Sequence, residues 1–433
     1  RALPSYSPFT AMLRLLSSSS IARTATRCWA PSMRVSIRMA SDGQDKSELG
    51  AYDELVRDFL KPSDFFDLLS ERGMNFYTGV PDSLLKDFLG YVNDHVPKDR
   101  HVIAANEGSA VAVGAGYHLA TGRTPVVYLQ NSGLGNTVNP LLSLADPQVY
   151  AVPMLLLVGW RGEPGKRDEP QHRVQGALTP GMLAAMNVMF EVLPDYKEGA
   201  EEALDSAVAY MQQRQAPYVL LVKRQNFEKY KIQKPAAYEY DLTREDFLRV
   251  FLRSLNKWDI VVSTTGFASR EVYELREELG QDHSRDFLTV GSMGHASAIS
   301  LGIALSKPSR RVVCLDGDGA LLMHMGNVAT IGHHRPENML HVVVNNGCHD
   351  SVGGQITGSM EQDIPAMARA CGYESVMSVS TEEEIVAAVQ EASRVAGPVL
   401  LEVKVRTGTR KDLGRPKTTP RQNKEAFMKF LDA

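Results

Sequence analysis

The chain has 433 residues and a formal net charge of −4, a length that suggests two or three domains. Its 43% hydrophobic and 23% charged content excludes wholesale disorder, and its mild acidity argues against a general nucleic-acid binder. The densest apolar run, residues 153–160, is too short to span a bilayer, and four cysteines without a Cys-x-x-Cys spacing argue against a disulfide scaffold or a zinc site and for a reducing compartment.

Residues 1–41 hold six arginines, nine serines and no Asp, Glu or Lys; the first acid is Asp42. This composition predicts an organellar transit peptide over residues 1–50, with translation starting at Met12 and a mitochondrial destination, the cytoplasm being the alternative. From residue 51 the chain reads as repeated β-α units. Ser63 is the expected cap of a first helix that stops at Gly73. Strands are expected at 75–80, 101–105, 125–130, 154–159 and 218–222, with helices at 108–120 and 198–213. Residues 225–243 lack periodicity and read as a linker.

The rhythm then restarts. Strands are expected at 259–263, 287–290, 311–315, 340–344 and 399–405, and helices at 244–255, 268–279, 320–332 and 381–395. Strands alternating with helices predict parallel sheets covered on both faces. Residues 216–224 (APYVLLVKR) and 397–406 (GPVLLEVKVR) end the two halves alike. The fold class is therefore α/β, with two similar doubly wound domains over 51–224 and 244–433 and no third domain between them.

One motif carries chemistry. A strand runs into Asp316-Gly317-Asp318-Gly319-Ala320 and a helix. One β-α-β unit later a second strand runs into Asn345-Asn346-Gly347. Both strand ends emerge on one edge of a parallel sheet, where ligands bind. The glycines allow close backbone approach, and the helix N-terminus favours an anion. One carboxylate and one amide oxygen suit Mg²⁺ that keeps a diphosphate among its ligands.

GDGA…VVVNNG resembles the cofactor signature of the thiamine-diphosphate-dependent decarboxylases. The resemblance implies a pyrimidine-binding domain followed by a pyrophosphate-binding domain. It implies thiamine diphosphate and Mg²⁺ as cofactors, with Gly317, Asp318, Gly319, Ala320 and Asn346 at the diphosphate. Asp318, Asn346 and the backbone carbonyl of Cys348 would be the metal ligands. It also implies a glutamate beside the pyrimidine, for which Glu107 is the candidate, and an apolar wedge beneath the cofactor, for which Met293 is the candidate. Asp82 falls in the family's first active-site loop and could relay a proton. An ordinary N-cap for a helix at 83–92 is the other reading of it. His349 could line the same pocket, and His118 reads as structural.

Residues 79–88, 159–172 and 345–355 are similar to the compact members of this family, whose keto-acid substrates carry a phosphonate or, as the nearest alternative, a sulfonate. Such a substrate calls for extra cations. The loop at 161–173 supplies Arg161, Lys166, Arg167, His172 and Arg173, of which Arg161 and His172 are the first candidates. Family membership further implies a homodimer or larger, with sites between subunits. A noncatalytic cofactor-binding protein is the rival from another class. A nicotinamide-binding domain is disfavoured because no GxGxxG opens a first β-α turn.

Overall fold

The structure is a computed structural model that describes residues 59–233 and 238–433. The basic, serine-rich leader lies outside the described residues. The first half runs α1 (Pro62–Glu71), β1 (Tyr77–Gly79), α2 (Lys86–His95), β2 (His101–Ile103), α3 (Glu107–Thr121) and β3 (Val126–Gln130). It continues through α4 (Leu134–Pro140), β4 (Leu155–Gly159), α5 (Pro170–Ala185), β5 (Met189–Val192), α6 (Lys197–Arg214) and β6 (Tyr218–Val222). The second half runs α7 (Arg244–Ser254), β7 (Ile260–Ser263), α8 (Phe267–Glu278), β8 (Asp286–Leu288), α9 (Ala296–Ser306), β9 (Val312–Gly317), α10 (Asp318–Met323) and α11 (Gly326–His334). Then come β10 (Met339–Asn345), α12 (Ile364–Ala370), β11 (Ser375–Val379), α13 (Glu382–Ala392), β12 (Val399–Lys404) and α14 (Pro420–Asp432).

Each half builds one six-stranded parallel sheet. The orders are β2-β1-β3-β4-β6-β5 and, read from the other side, β8-β7-β9-β10-β12-β11. The two orders are identical strand for strand, so one fold is used twice. The central strands read as unbroken apolar runs because both faces are covered. Along β4, Leu155 and Leu157 enter one core while Leu156 and Val158 enter the other. In β9, Val313 and Leu315 face one core, Val312 and Cys314 the opposite one.

Several expectations change in detail. β5 and β11 were not expected; both are edge strands with little full burial, so neither shows a core-like run. Ser63 is not the first cap, since α1 already starts at Pro62, whose missing N–H costs nothing in the first turn. The helix expected at 320–332 is two, α10 and α11, broken at His324 and Met325. The stretch after β6 is not a loose connector. Phe227 is buried in the first core beside Phe88. Tyr230 donates its backbone N–H to Asp87 (3.1 Å) and its hydroxyl to Asp94 (2.9 Å).

The last helix closes the second sheet. Asn423 of α14 accepts from the Leu288 N–H (3.1 Å) and donates to the Asp286 carbonyl (2.7 Å), both on the edge strand β8.

Candidate active site

In a parallel sheet all strands end on one edge, so the segments after β1, β2, β3 and β4 gather there. Asp82 follows β1 and is fully buried. Its Oδ1 accepts from the Gln130 amide at the end of β3 (2.6 Å), and its Oδ2 accepts from the Leu84 N–H (2.9 Å). α2 starts at Lys86, so Asp82 closes a tight turn and is not the helix cap. Gly159 ends β4 against it; a Cβ there would sit 2.0 Å from Oδ2. Burial pushes the Asp82 carboxyl up, against the pull of Gln130, Leu84 and Arg161.

Glu107 is the first residue of α3, held there because Asn106 caps the helix by accepting from the Gly108 N–H (2.8 Å). Its carboxyl is buried, and its Oε2 accepts from the Asn136 amide (2.7 Å). Oε1 faces Gly133, where a Cβ would come within 2.3 Å. Burial raises its pKa and the Asn136 bond only partly opposes this. The sequence reading missed Gln130, Asn136 and Gly133, which carry no motif.

After β4 the chain enters the basic loop. Arg161 clamps Asp168 through Nε (2.9 Å) and Nη2 (2.5 Å) and reaches the Ser83 hydroxyl through Nη1 (3.0 Å). Against the effect of burial, Arg161 and the backbone N–H groups of Glu169 and Gly162 hold the Asp168 carboxyl well below the usual range. Asn131 fixes the loop base by donating to the Arg161 carbonyl (2.8 Å) and accepting from its N–H (3.1 Å). The Arg161 fork is thus committed to Asp168. His172, in the first turn of α5, keeps a buried Nδ1 without a partner. Burial, reinforced by Arg161, lowers its pKa to about 4, so it is neutral at pH 7.

In the second half β9 and β10 are neighbours, with Val344 beside Gly317. That register sets Asp318 and Asn346, each just past its strand, at adjoining ends. Both are buried. Asp318 Oδ2 accepts from the hydroxyls of Thr357 (2.5 Å) and Ser359 (2.7 Å). Burial pushes this carboxyl up, its partners being neutral hydroxyls and backbone N–H groups. Asn346 Oδ1 accepts from the Cys348 N–H (3.2 Å), which folds the Cys348 backbone back toward the amide. A buried carboxylate with neutral partners, beside an amide oxygen, fits a hard divalent cation.

Space is arranged to match. A Cβ on Gly317 would meet nothing within 4 Å, so that backbone is open to a ligand. A Cβ on Gly319 would press on the His349 ring at 3.0 Å. His349 itself is half-buried, and desolvation lowers its pKa to about 4. Ala320 is buried in α10, and Met293 is half-buried in the turn between β8 and α9. Gln355, unremarked in the sequence, is buried with both ends of its amide unpartnered.

The two halves meet along the basic loop. A Cβ on Gly291 would lie 3.5 Å from Gln171 Cβ, and Arg415 Nη2 pairs with Glu169 Oε1 at 3.0 Å. The loop that carries His172 therefore faces the segment that carries Met293.

Comparison with known proteins is consistent across both halves. Residues 63–188 match the N-terminal TPP binding domain of the thiamine pyrophosphate enzymes, and residues 269–403 match their C-terminal TPP binding domain. A phosphonopyruvate decarboxylase of Streptomyces viridochromogenes is 36% identical over 378 residues, 84% of this chain and 93% of that protein. One from Streptomyces hygroscopicus is 35% identical over 387 residues, 86% of this chain and 94% of that protein. A sulfopyruvate decarboxylase of Methanosarcina acetivorans is 25% identical over 389 residues, 84% of this chain and 96% of that protein.

Proposed function

Because the chain belongs to the thiamine pyrophosphate enzymes, we propose that it is a thiamine-diphosphate- and Mg²⁺-dependent carboxy-lyase converting 3-phosphonopyruvate to phosphonoacetaldehyde and carbon dioxide. The observation that carries this reading is the pairing, in one chain, of a buried carboxyl opening α3 with a buried Asp–Asn pair at neighbouring strand ends. Higher identity to the phosphonopyruvate than to the sulfopyruvate enzyme, over equal coverage, supports the phosphonate.

Bound thiamine diphosphate supplies a nucleophilic thiazolium carbon and an electron sink for the departing carboxylate. Asp318, Asn346 and the carbonyl of Cys348 would hold Mg²⁺ at the diphosphate site. Glu107, whose carboxyl burial pushes up, would hydrogen-bond the aminopyrimidine. Met293 would supply an apolar contact to the cofactor. Asp82, whose carboxyl burial pushes up, would serve as a proton relay. His172 and His349, neutral at pH 7, can accept and return one. Arg161 orients the basic loop through Asp168, and His172 lies on that loop.

The direct test uses protein lacking residues 1–50, loaded with thiamine diphosphate and Mg²⁺. Carbon dioxide and aldehyde release from phosphonopyruvate, sulfopyruvate and pyruvate are followed side by side. Preference for phosphonopyruvate is the expected result. Turnover mainly of sulfopyruvate would change the substrate and keep the cofactor. Binding of cofactor with no turnover would favour a noncatalytic role.

Two further parts of the reading concern context. The basic leader supports import into mitochondria, tested by fusing residues 1–50 to a fluorescent protein. A homodimer or larger with sites shared between chains is what the family implies. The alternative is a site completed by a single chain, whose halves touch through the Glu169–Arg415 pair. Mixing Glu107→Gln and Asp318→Asn chains separates these: shared sites recover activity, and single-chain sites recover none.

A further inference from the structure

Three arginines on the basic loop or beside α8 are spoken for. Arg161 is clamped on Asp168. Arg244 holds Glu271 through Nε (2.7 Å) and Nη2 (2.8 Å). Arg415 pairs with Glu169. Arg270 is different. It is half-buried in the first turn of α8, and among the described residues it has no hydrogen bond and no carboxylate partner. Its guanidinium lies over the Phe267 ring, 5.9 Å from the centroid, a ring also covered by Arg244 at 5.3 Å.

A half-buried guanidinium with no carboxylate partner keeps its fork of donors available to an anion. The surroundings sharpen this. Desolvation is the main influence lowering the Arg270 pKa; Arg415 and Arg161 add to it and Glu169 opposes it. Asp168 is saturated by Arg161 and two backbone N–H groups, and Glu169 is taken by Arg415. The local balance is left positive.

Position says which anion. α8 follows β7 through Gly266, whose φ of 97° turns the chain sharply, and β7 lies beside β9, which leads into Asp318. Arg270 is therefore on the edge of the sheet where the site lies. The charges that act on it are Arg415 and, on the loop that bears His172, Glu169 and Arg161.

We propose that Arg270 binds the phosphonate of the substrate, with its planar fork meeting two of the three oxygens. The inference rests on the functional reading above and deepens it by naming the residue that recognises the second anion. Arg161 and Arg415 then act at one remove. By occupying Asp168 and Glu169 they keep those carboxylates from neutralising Arg270.

The test compares wild-type holoenzyme with Arg270→Gln and Arg270→Lys. It measures kcat and KM for phosphonopyruvate and for pyruvate, which lacks the phosphonate, and thiamine diphosphate affinity by calorimetry. Loss of a charge-assisted pair should raise the KM for phosphonopyruvate in Arg270→Gln by about 10- to 100-fold. The constants for pyruvate and the cofactor affinity should stay within about twofold. Arg270→Lys should fall between, because an ammonium keeps the charge and loses the bidentate geometry. An unchanged KM for phosphonopyruvate, an equal loss on pyruvate, or a fall in cofactor affinity would each overturn the assignment. Wild-type holoenzyme inert toward phosphonopyruvate would instead overturn the functional reading, and this inference with it, before any variant is compared.

Discussion

After β2 the chain turns at once into α3, with Glu107 as its first residue. At the equivalent point of the second half, after β8, it runs through Gly291, Ser292 and Met293 before α9 begins. β3 ends on Gln130, a neutral amide serving Asp82, whereas the equivalent β9 leads into Asp318. One sheet order thus presents two kinds of edge. In the first half each buried acid accepts from a side-chain amide, Asp82 from Gln130 and Glu107 from Asn136, and burial pushes both carboxyl groups up. In the second half a buried carboxyl and a buried amide, Asp318 and Asn346, stand at adjoining strand ends, a donor pair that suits a cation. The fold fixes where the groups emerge, and the residues at the strand ends decide between moving protons and anchoring charge.

The strongest way to break this comparison is Glu107→Gln. If the first half handles protons, kcat should fall about 10²- to 10⁴-fold, with cofactor affinity kept, as calorimetry would report. Lost cofactor affinity would erase the distinction. Asp318→Asn should do the reverse, weakening Mg²⁺ and cofactor binding by at least about 10²-fold, since a neutral amide cannot replace a carboxylate on the metal. Saturating Mg²⁺ should restore part of its activity. A milder probe is Thr357→Val. Removing a hydroxyl that orients the Asp318 carboxylate should cost about 10-fold in metal affinity, with kcat at saturation little changed.

The smallest effect lies away from both edges. His101 is buried on β2 against the Tyr128 hydroxyl (2.9 Å), and burial lowers its pKa to about 4. Its folded pKa lies below the unfolded value near 6.5. Protons therefore bind the unfolded chain more strongly between those limits, and stability is lost as pH falls from about 6.5 toward 4. This one group should cost the apoprotein up to about 2 kcal/mol at pH 5. Urea midpoints at pH 7 and pH 5 should draw closer together in His101→Gln.

The repeated α/β architecture was legible because its central strands are covered on both faces and read as unbroken apolar runs. β5 and β11 were not legible, since an edge strand is only partly buried and its pattern resembles a loop. Asp318 and Asn346 could be read because each sits in a contiguous strand-to-glycine signature. Their support could not. Thr357 lies 39 residues from the acid it serves, Asn136 lies 29 from Glu107, and Gln130 lies 48 from Asp82. Such partners are brought together by the register of the sheet. The basic loop is a middle case. Its charge was plain, but the clamp of Arg161 on Asp168 depends on the turn between them. Arg270 looked like any helical arginine, because an unpaired charge can only be recognised once every possible partner is seen elsewhere.

Asn423 has a consequence for handling the protein. Its side-chain amide does for β8 what a seventh strand would do, accepting at Leu288 and donating at Asp286. A chain shortened before α14 would keep every residue of the site and leave that rail bare, open to the edge of another molecule. Purification tags therefore belong at the far end of the chain, and a truncation made to simplify crystallisation would yield sticky material prone to aggregate through β8.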